Sequence, residues 1–295
     1  CECTPTGVTR ALNDAPLPAC AKPKRLRFGE GRSGRGAWVF DLDNTLYPAR
    51  CRLFAQVEVR IRDYVAGFLG LDSDAAYRLQ KVYFREHGTT LRGMMRHHGM
   101  DPGPFLAYVH DIDLSPVRPD PVLDEALGRL QGRKIVFTNG SAEHALKVME
   151  RVGVARHFEA VFDIAAAGYV PKPEPRVYDA FVRHHGLDPA STVMVEDIAR
   201  NLVPAAAIGM TTVWVRGAEE QPELGLAPPG AEAPNTNDPA ASCEGTPGGV
   251  TSAPGLLVGR PAPPGAATLA AIDHVVDDLA LWLSDLTRRS SQETP

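Results

Sequence analysis

Hydrophobic positions follow two rhythms along this chain. Ala37 to Phe40 is a short uninterrupted apolar run, the pattern of a strand buried on both faces. From about residue 50 to about residue 110 the rhythm is helical: Leu53, Val57, Ile61 and Val65 recur at every fourth position, with Phe54 and Phe68 nearby. Gly88, Gly99 and Pro102 punctuate the rest of that stretch into three further short helices. Leu114 to Pro121 reads as a linker back.

Beyond the linker, helix and strand alternate. The expected order is helix Val122–Leu130, strand Ile135–Thr138, helix to about Val152, strand Val161–Ile164 and helix Pro175–His185. Strand Thr192–Val195, helix Arg200–Ile208, strand Thr212–Val215, strand Ile272–Val276 and a helix through Trp282 follow. Ser141 is placed to cap the helix that ends near Val152, with Glu143 in its first turn. Alternation of this kind predicts an α/β fold, a Rossmann-like parallel sheet with helices on both faces. The all-helical piece interrupts it after the first strand and should form a separate cap domain. The expected organisation is therefore a disordered extension at 1–36, a core at 37–48 and 117–217, and a cap at 49–116. A disordered insertion rich in Ala, Pro and Gly follows at 218–267, and the last strand and helix of the core lie at 268–288.

Composition narrows the classes of function. A 44% hydrophobic content is enough for a sizeable core, and a net charge of −5 gives no overall attraction to nucleic acid or an anionic membrane. An anionic substrate must then be drawn in by local groups. No apolar run reaches transmembrane length, and the first residues carry no apolar stretch of signal type. Cys1, Cys3, Cys20, Cys51 and Cys243 form neither a disulfide framework nor zinc-site spacing, which fits a reducing, cytoplasmic setting. The chain begins with Cys1 and not Met, so a start further upstream is allowed for. Oligomeric state is not legible.

In parallel sheets, ligands bind beyond the carboxyl ends of the strands. There the sequence places Asp41 and Asp43 after the first strand, and Thr138, Asn139 and Gly140 after the second. Lys172 follows the third, and Glu196 and Asp197 the fourth. Two unit charges about 4 Å apart repel by about 4 kcal/mol at an effective dielectric near 20. Converging carboxylates therefore call for raised pKa values or a cation, and an oxygen-rich set suits Mg²⁺. Asp41 and Asp43, two apart on an extended backbone, project to one side. One can attack phosphorus and the other can trade a proton with the leaving oxygen. Thr138 with the backbone N–H groups of Asn139 and Gly140, at a helix N-terminus, suits phosphate oxygens.

Asp41-Leu42-Asp43-Asn44-Thr45-Leu46 resembles the first motif, D-x-D-x-T, of the haloacid dehalogenase superfamily. Thr138-Asn139-Gly140 resembles its second motif, Lys172 between Pro171 and Pro173 its third, and Glu196-Asp197 its acidic fourth, all in the family's order. The match covers roughly residues 37–217 plus the last strand and helix, and the inserted helices resemble the family's C1-type cap. The resemblance implies a magnesium-dependent phosphomonoester hydrolase in which Asp41 is the nucleophile and Asp43 the acid and base. Asp41, the main-chain carbonyl of Asp43 and Asp197 would bind Mg²⁺, with Glu196 a supporting or direct ligand. Asp43-Asn44-Thr45-Leu46-Tyr47 and the cap segment His87 to Gly93 resemble the pyrimidine 5′-nucleotidase branch, which implies a small phosphorylated metabolite such as a pyrimidine nucleoside 5′-monophosphate as partner. Arg92 in that segment is a candidate substrate contact from the cap, set against an ordinary solvent-facing helix charge.

Other readings stand beside this one. A phosphoglycolate-type phosphatase or a sugar-phosphate mutase uses the same core, and a non-catalytic phosphate-binding scaffold is the alternative of another class. Dehalogenases of the superfamily lack an acid where Asp43 stands. A calcium loop starting at Asp41 fails, since Leu46 and Arg52 occupy its Gly and Glu positions. Gly29 to Gly34 matches a dinucleotide motif but precedes the first strand. Asn139-Gly140-Ser141 matches a glycosylation site but falls in the phosphate turn. His97, His98, His184 and His185 are expected to be solvated or half-buried, and His110 to Asp113 to be a helix end near the cap hinge.

Overall fold

The computed structural model describes residues 36–216 and 264–292. The expected extension, apart from its last residue, and the expected insertion up to residue 263 lie outside the described residues.

Strand β1 (Ala37–Phe40) is buried along its whole length, as its unbroken apolar run requires. The chain then makes helices α1 (Leu53–Leu69), α2 (Ser73–His87), α3 (Thr90–His98) and α4 (Pro102–Val109). Each of the last three starts on a side-chain cap: Asp72, Thr89 and Asp101 accept N–H groups from the first turn. Val57, Val65, Ala76, Leu91, Met94 and Phe105 fill the space between these helices. Helices α2 and α3 approach closely at Gly93, where an added Cβ would stand 2.4 Å from the Tyr83 side chain. Ile164, from outside this helical group, joins its core.

The remaining elements alternate as the periodicity indicates. They are α5 (Pro121–Arg129), β2 (Arg133–Phe137), α6 (Ala142–Val152), β3 (Ala160–Phe162), α7 (Pro175–His185), β4 (Thr192–Glu196), α8 (Ala199–Ala207) and β5 (Thr211–Val215). Then come α9 (Ala266–Ala270), β6 (His274–Val276) and α10 (Leu279–Gln292). Helix α9 was not foreseen, and α10 runs ten residues past the expected Trp282. Ser141 caps α6 as its position indicated, accepting the His144 N–H at 3.3 Å. No helix among the described residues is long and apolar enough to cross a membrane.

The six strands form one parallel sheet in the order β3-β2-β1-β4-β5-β6. Successive side chains point to opposite faces, so Trp38 and Phe40 pack in one core with Leu127, Val148 and Leu283. Val39 packs in the other with Phe137, Tyr178, Phe181 and Leu202. Strand order reverses between β1 and β4, and a doubly covered sheet has its ligand crevice at that point.

Candidate active site

Strand register alone assembles most of the rim. Phe40 pairs with Val136 on β2 and with Val195 on β4, so the next residues, Asp41, Phe137 and Glu196, leave the sheet level with one another. The Asp41 N–H donates to the Val195 carbonyl at 2.9 Å, continuing the ladder one step further. Asp43 lies in the turn that follows, where Asn44 takes the left-handed conformation at φ 64°.

Lys172 enters from the loop ahead of α7 and is buried. Its ammonium donates to Asp41 Oδ1 at 2.7 Å, to Glu196 Oε2 at 3.0 Å and to the Phe137 carbonyl at 2.7 Å. Three acceptors meet three N–H donors. Asn139 holds this loop: its Oδ1 accepts the Lys172 N–H at 2.8 Å and its Nδ2 donates to the Lys172 carbonyl at 3.2 Å. The Asn139 side chain thus positions the lysine.

Thr138 Oγ1 accepts the Gly140 N–H at 2.9 Å. This corrects the expectation that the Gly140 N–H faces phosphate, because the threonine hydroxyl already takes it. Gly140 contributes space instead: an added Cβ would lie 3.3 Å from Thr138 Oγ1 and 3.7 Å from Asp43 Oδ2.

The crowding of acids shows in their ionisation. Burial first, and the Glu196 charge second, push the Asp41 carboxyl up to about 7, against the pull of Lys172. The same causes hold Asp197 well above the usual carboxylate range. Burial opposes the charge on Lys172, but Asp41 and Glu196 outweigh it and raise the lysine. Carboxylate oxygens of Asp41, Glu196 and Asp197 lie within 4.8 Å of one another. A set of hard oxygen donors at this spacing fits Mg²⁺. Glu196 is engaged on both oxygens, by Lys172 and by the Asn201 amide, and so serves the set mainly by holding its partners.

Asp43 has a different environment. Tyr47 donates to its Oδ1 at 2.7 Å, and His144 Nε2 meets the same oxygen at 2.9 Å. Burial alone would raise this carboxyl, but the His144 charge and the two hydrogen bonds outweigh it and hold it at about 2. The His144 ring stacks on His110 with centroids 4.5 Å apart, and His110 Nδ1 shares a 3.0 Å hydrogen bond with Ser141 Oγ. Burial, then the neighbouring His144 charge, lower His110 to about 4.

Tyr47, His144 and His110 were not assigned to the site from sequence. Tyr47 directly follows the first motif, four residues after Asp43, and closes the Asp43 to Tyr47 segment. His144 is the third residue of α6, whose N-terminus abuts the rim, so a signal existed for both. His110, at the C-terminal end of α4, had none.

Over the rim is a cavity walled by the helices of 53–109, with Phe54, Val57, Ile61, Phe84, Leu91 and Val109 facing it. Asp41, Asp43, Thr138, Lys172, Glu196 and Asp197 form its floor. Arg92 is not part of the lining. Its guanidinium sits 3.6 Å from Glu174, and the nearby Gly88 meets Pro171, so the 87–93 segment rests on the Lys172 loop. Besides Lys172 in the floor, the lysine and arginine side chains that line the cavity are Lys81 and Arg200.

A family model of haloacid dehalogenase-like hydrolases matches residues 37–209. Phosphate metabolism protein 8 of Saccharomyces cerevisiae is 27% identical over 194 residues, 60% of each chain. Haloacid dehalogenase-like hydrolase domain-containing protein 3 of Bos taurus is 30% identical over 92 residues, 31% of this chain and 36% of its own. The chain therefore spans less than two thirds of these curated relatives. A haloacid dehalogenase phosphatase from Thermococcus onnurineus superposes with a TM-score of 0.43 at 19% identity, covering 65% of this chain and 90% of that one. With the family model covering more than half of its length, the chain belongs to the haloacid dehalogenase-like hydrolases.

Proposed function

We propose that the protein hydrolyses a phosphomonoester through an aspartyl-phosphate on Asp41, with a pyrimidine nucleoside 5′-monophosphate as the substrate favoured by its motif resemblance. The observation that carries the reading is the pairing of two carboxylates in opposite electrostatic states at the end of one strand. Asp41 is held by the Lys172 ammonium, and Asp43 by Tyr47 and His144.

Lys172 fixes one oxygen of Asp41 and offsets part of the charge of an arriving phosphate. Thr138 and Gly140, whose missing side chain avoids crowding Thr138 and Asp43, lie beside the same rim and suit a phosphate oxygen. Asp41 attacks phosphorus, and the ester oxygen leaves with a proton from Asp43. The negative charge of bound phosphate opposes the His144 charge and raises Asp43 towards protonation, which suits this role. Once the alcohol departs, the ionised Asp43 takes a proton from water as the water attacks the acyl phosphate. Asp41, the Asp43 carbonyl and Asp197 would hold Mg²⁺, with Glu196 in support. Bound there, the cation would favour the ionised acids and neutralise phosphate oxygens.

Purified protein with Mg²⁺ is expected to release phosphate from 4-nitrophenyl phosphate, and Asp41→Asn is expected to abolish release. Undiminished activity in that variant would overturn the mechanism.

A further inference from the structure

One residue of the cavity lining has a buried polar atom without a partner among the described residues. On α2, Gln80 and Phe84 lie one turn apart and both face the cavity. Gln80 is 2% exposed. Its Nε2 donates to the Glu58 carbonyl at 3.3 Å. A carbonyl only accepts, so the amide nitrogen is the atom turned to Glu58, and Oε1 is the atom left over. That oxygen is buried and has no hydrogen-bond partner among the described residues. Buried acceptors in native proteins are rarely left so. The neighbouring Lys81 ammonium does not serve it, being paired with Glu58 Oε1 at 2.6 Å. Phe54, Val57, Phe84 and Leu91 offer no side-chain donor. Gln80 itself lines the cavity, so a small turn of its side chain brings Oε1 to a donor on what fills it.

The cavity volume of about 160 Å³ is roughly ten times what one water requires, so the occupant extends beyond a phosphate group. Its chemistry follows from the wall. Against Phe54, Val57, Phe84 and Leu91 a monosaccharide would leave hydroxyls facing apolar carbon with no partner. An acyl chain would satisfy the apolar wall but leave Gln80 Oε1 bare. A planar heterocycle satisfies both, with apolar faces against the wall and an N–H on its edge.

We propose that Gln80 is the specificity-determining residue of the cap. Its Oε1 accepts a hydrogen bond from an N–H on the ring edge of a heterocyclic leaving group, while Phe84 and its neighbours cover the ring faces. The inference rests on the phosphomonoester reading above and adds to it which atom of the protein recognises the base.

The test compares kcat/KM for substrate pairs that differ only in the donor. One pair is uridine 5′-monophosphate and its N3-methyl derivative. The other is cytidine 5′-monophosphate and its N4,N4-dimethyl derivative. 4-Nitrophenyl phosphate serves as the general phosphatase substrate. Wild-type protein is expected to disfavour the methylated member by at least about tenfold in one pair, the cost of leaving the acceptor unmet. Gln80→Leu is expected to bring that ratio to within about threefold. The ratio cancels any general loss of activity, and should Gln80→Leu not fold, the unbranched Gln80→Met carries the same comparison. Discrimination that persists in the variant overturns the proposal. So does wild-type protein that turns over 4-nitrophenyl phosphate with no discrimination in either pair, or with no turnover of either nucleotide, and then the phosphatase reading survives. Absence of phosphate release from every substrate overturns that reading itself, and this inference with it.

Discussion

The floor and the wall of one cavity are built on opposite principles. The floor is a set of ionisable groups at strand ends, each tied to several others: Lys172 to Asp41 and Glu196, Asp43 to Tyr47 and His144. The wall is largely apolar helix surface, with one buried amide oxygen left unmet among the described residues. A network of buried charges tolerates little change, because any member removed leaves another uncompensated. An apolar wall can change side chains at modest cost, provided volume is kept. Under the proposed hydrolysis, bond chemistry would fall to the floor and choice of leaving group to the wall, which makes the two separable by experiment.

The largest effect is expected at Lys172. Lys172→Met leaves Asp41 and Glu196 buried without their cation, which should cost about 3–5 kcal/mol of stability in urea denaturation besides the loss of turnover. A loss below about 1 kcal/mol would mean that the floor is not a coupled network. Next comes Asp43→Asn, expected to lower kcat roughly 10²–10⁴-fold and also to lower the melting temperature, because buried His144 loses its ionised partner. A change confined to KM would instead make Asp43 a binding group.

Gly93→Ala tests the wall. The added Cβ overlaps Tyr83, and overpacking of this kind should cost about 1–3 kcal/mol, seen in thermal unfolding. An unchanged melting temperature would show that the α2–α3 contact is loose.

The smallest effect is a pH dependence of stability. His144 is raised above its ordinary 6.5: burial opposes its charge, but Asp43 outweighs it. That contribution is full below pH 6.5 and is lost as pH rises through the folded value. Asp43 is lowered from 3.8 to about 2, so its contribution is full above pH 3.8 and is lost as pH falls towards 2. The melting-temperature gap between wild type and His144→Asn should therefore be widest between about pH 4 and 6.5 and narrow on both sides. A gap independent of pH would remove the ion pair from the account.

Local chemistry determined what the sequence could disclose on its own. A four-residue apolar run is long enough only for a buried strand, so its end and the acids beyond it were legible. Ser141 capped α6 because a cap needs only its own first turn. The parallel sheet followed from alternation, and four short motifs at strand ends named Asp41, Asp43, Thr138, Lys172, Glu196 and Asp197. Tertiary structure decided the rest. Whether Arg92 turned to the cavity or to Glu174 depended on how α3 sits over the Lys172 loop, and no periodicity encodes that. The meeting of His110 with His144, 34 positions apart, depended on where the end of α4 lands on α6. Gln80 was an ordinary polar residue of a helix until packing buried it and left its side-chain oxygen without a partner among the described residues. Backbone propensity and capping act within a few residues and can be read along the chain. Burial and the direction of a side chain are set by what arrives from elsewhere, and only the folded molecule supplies that.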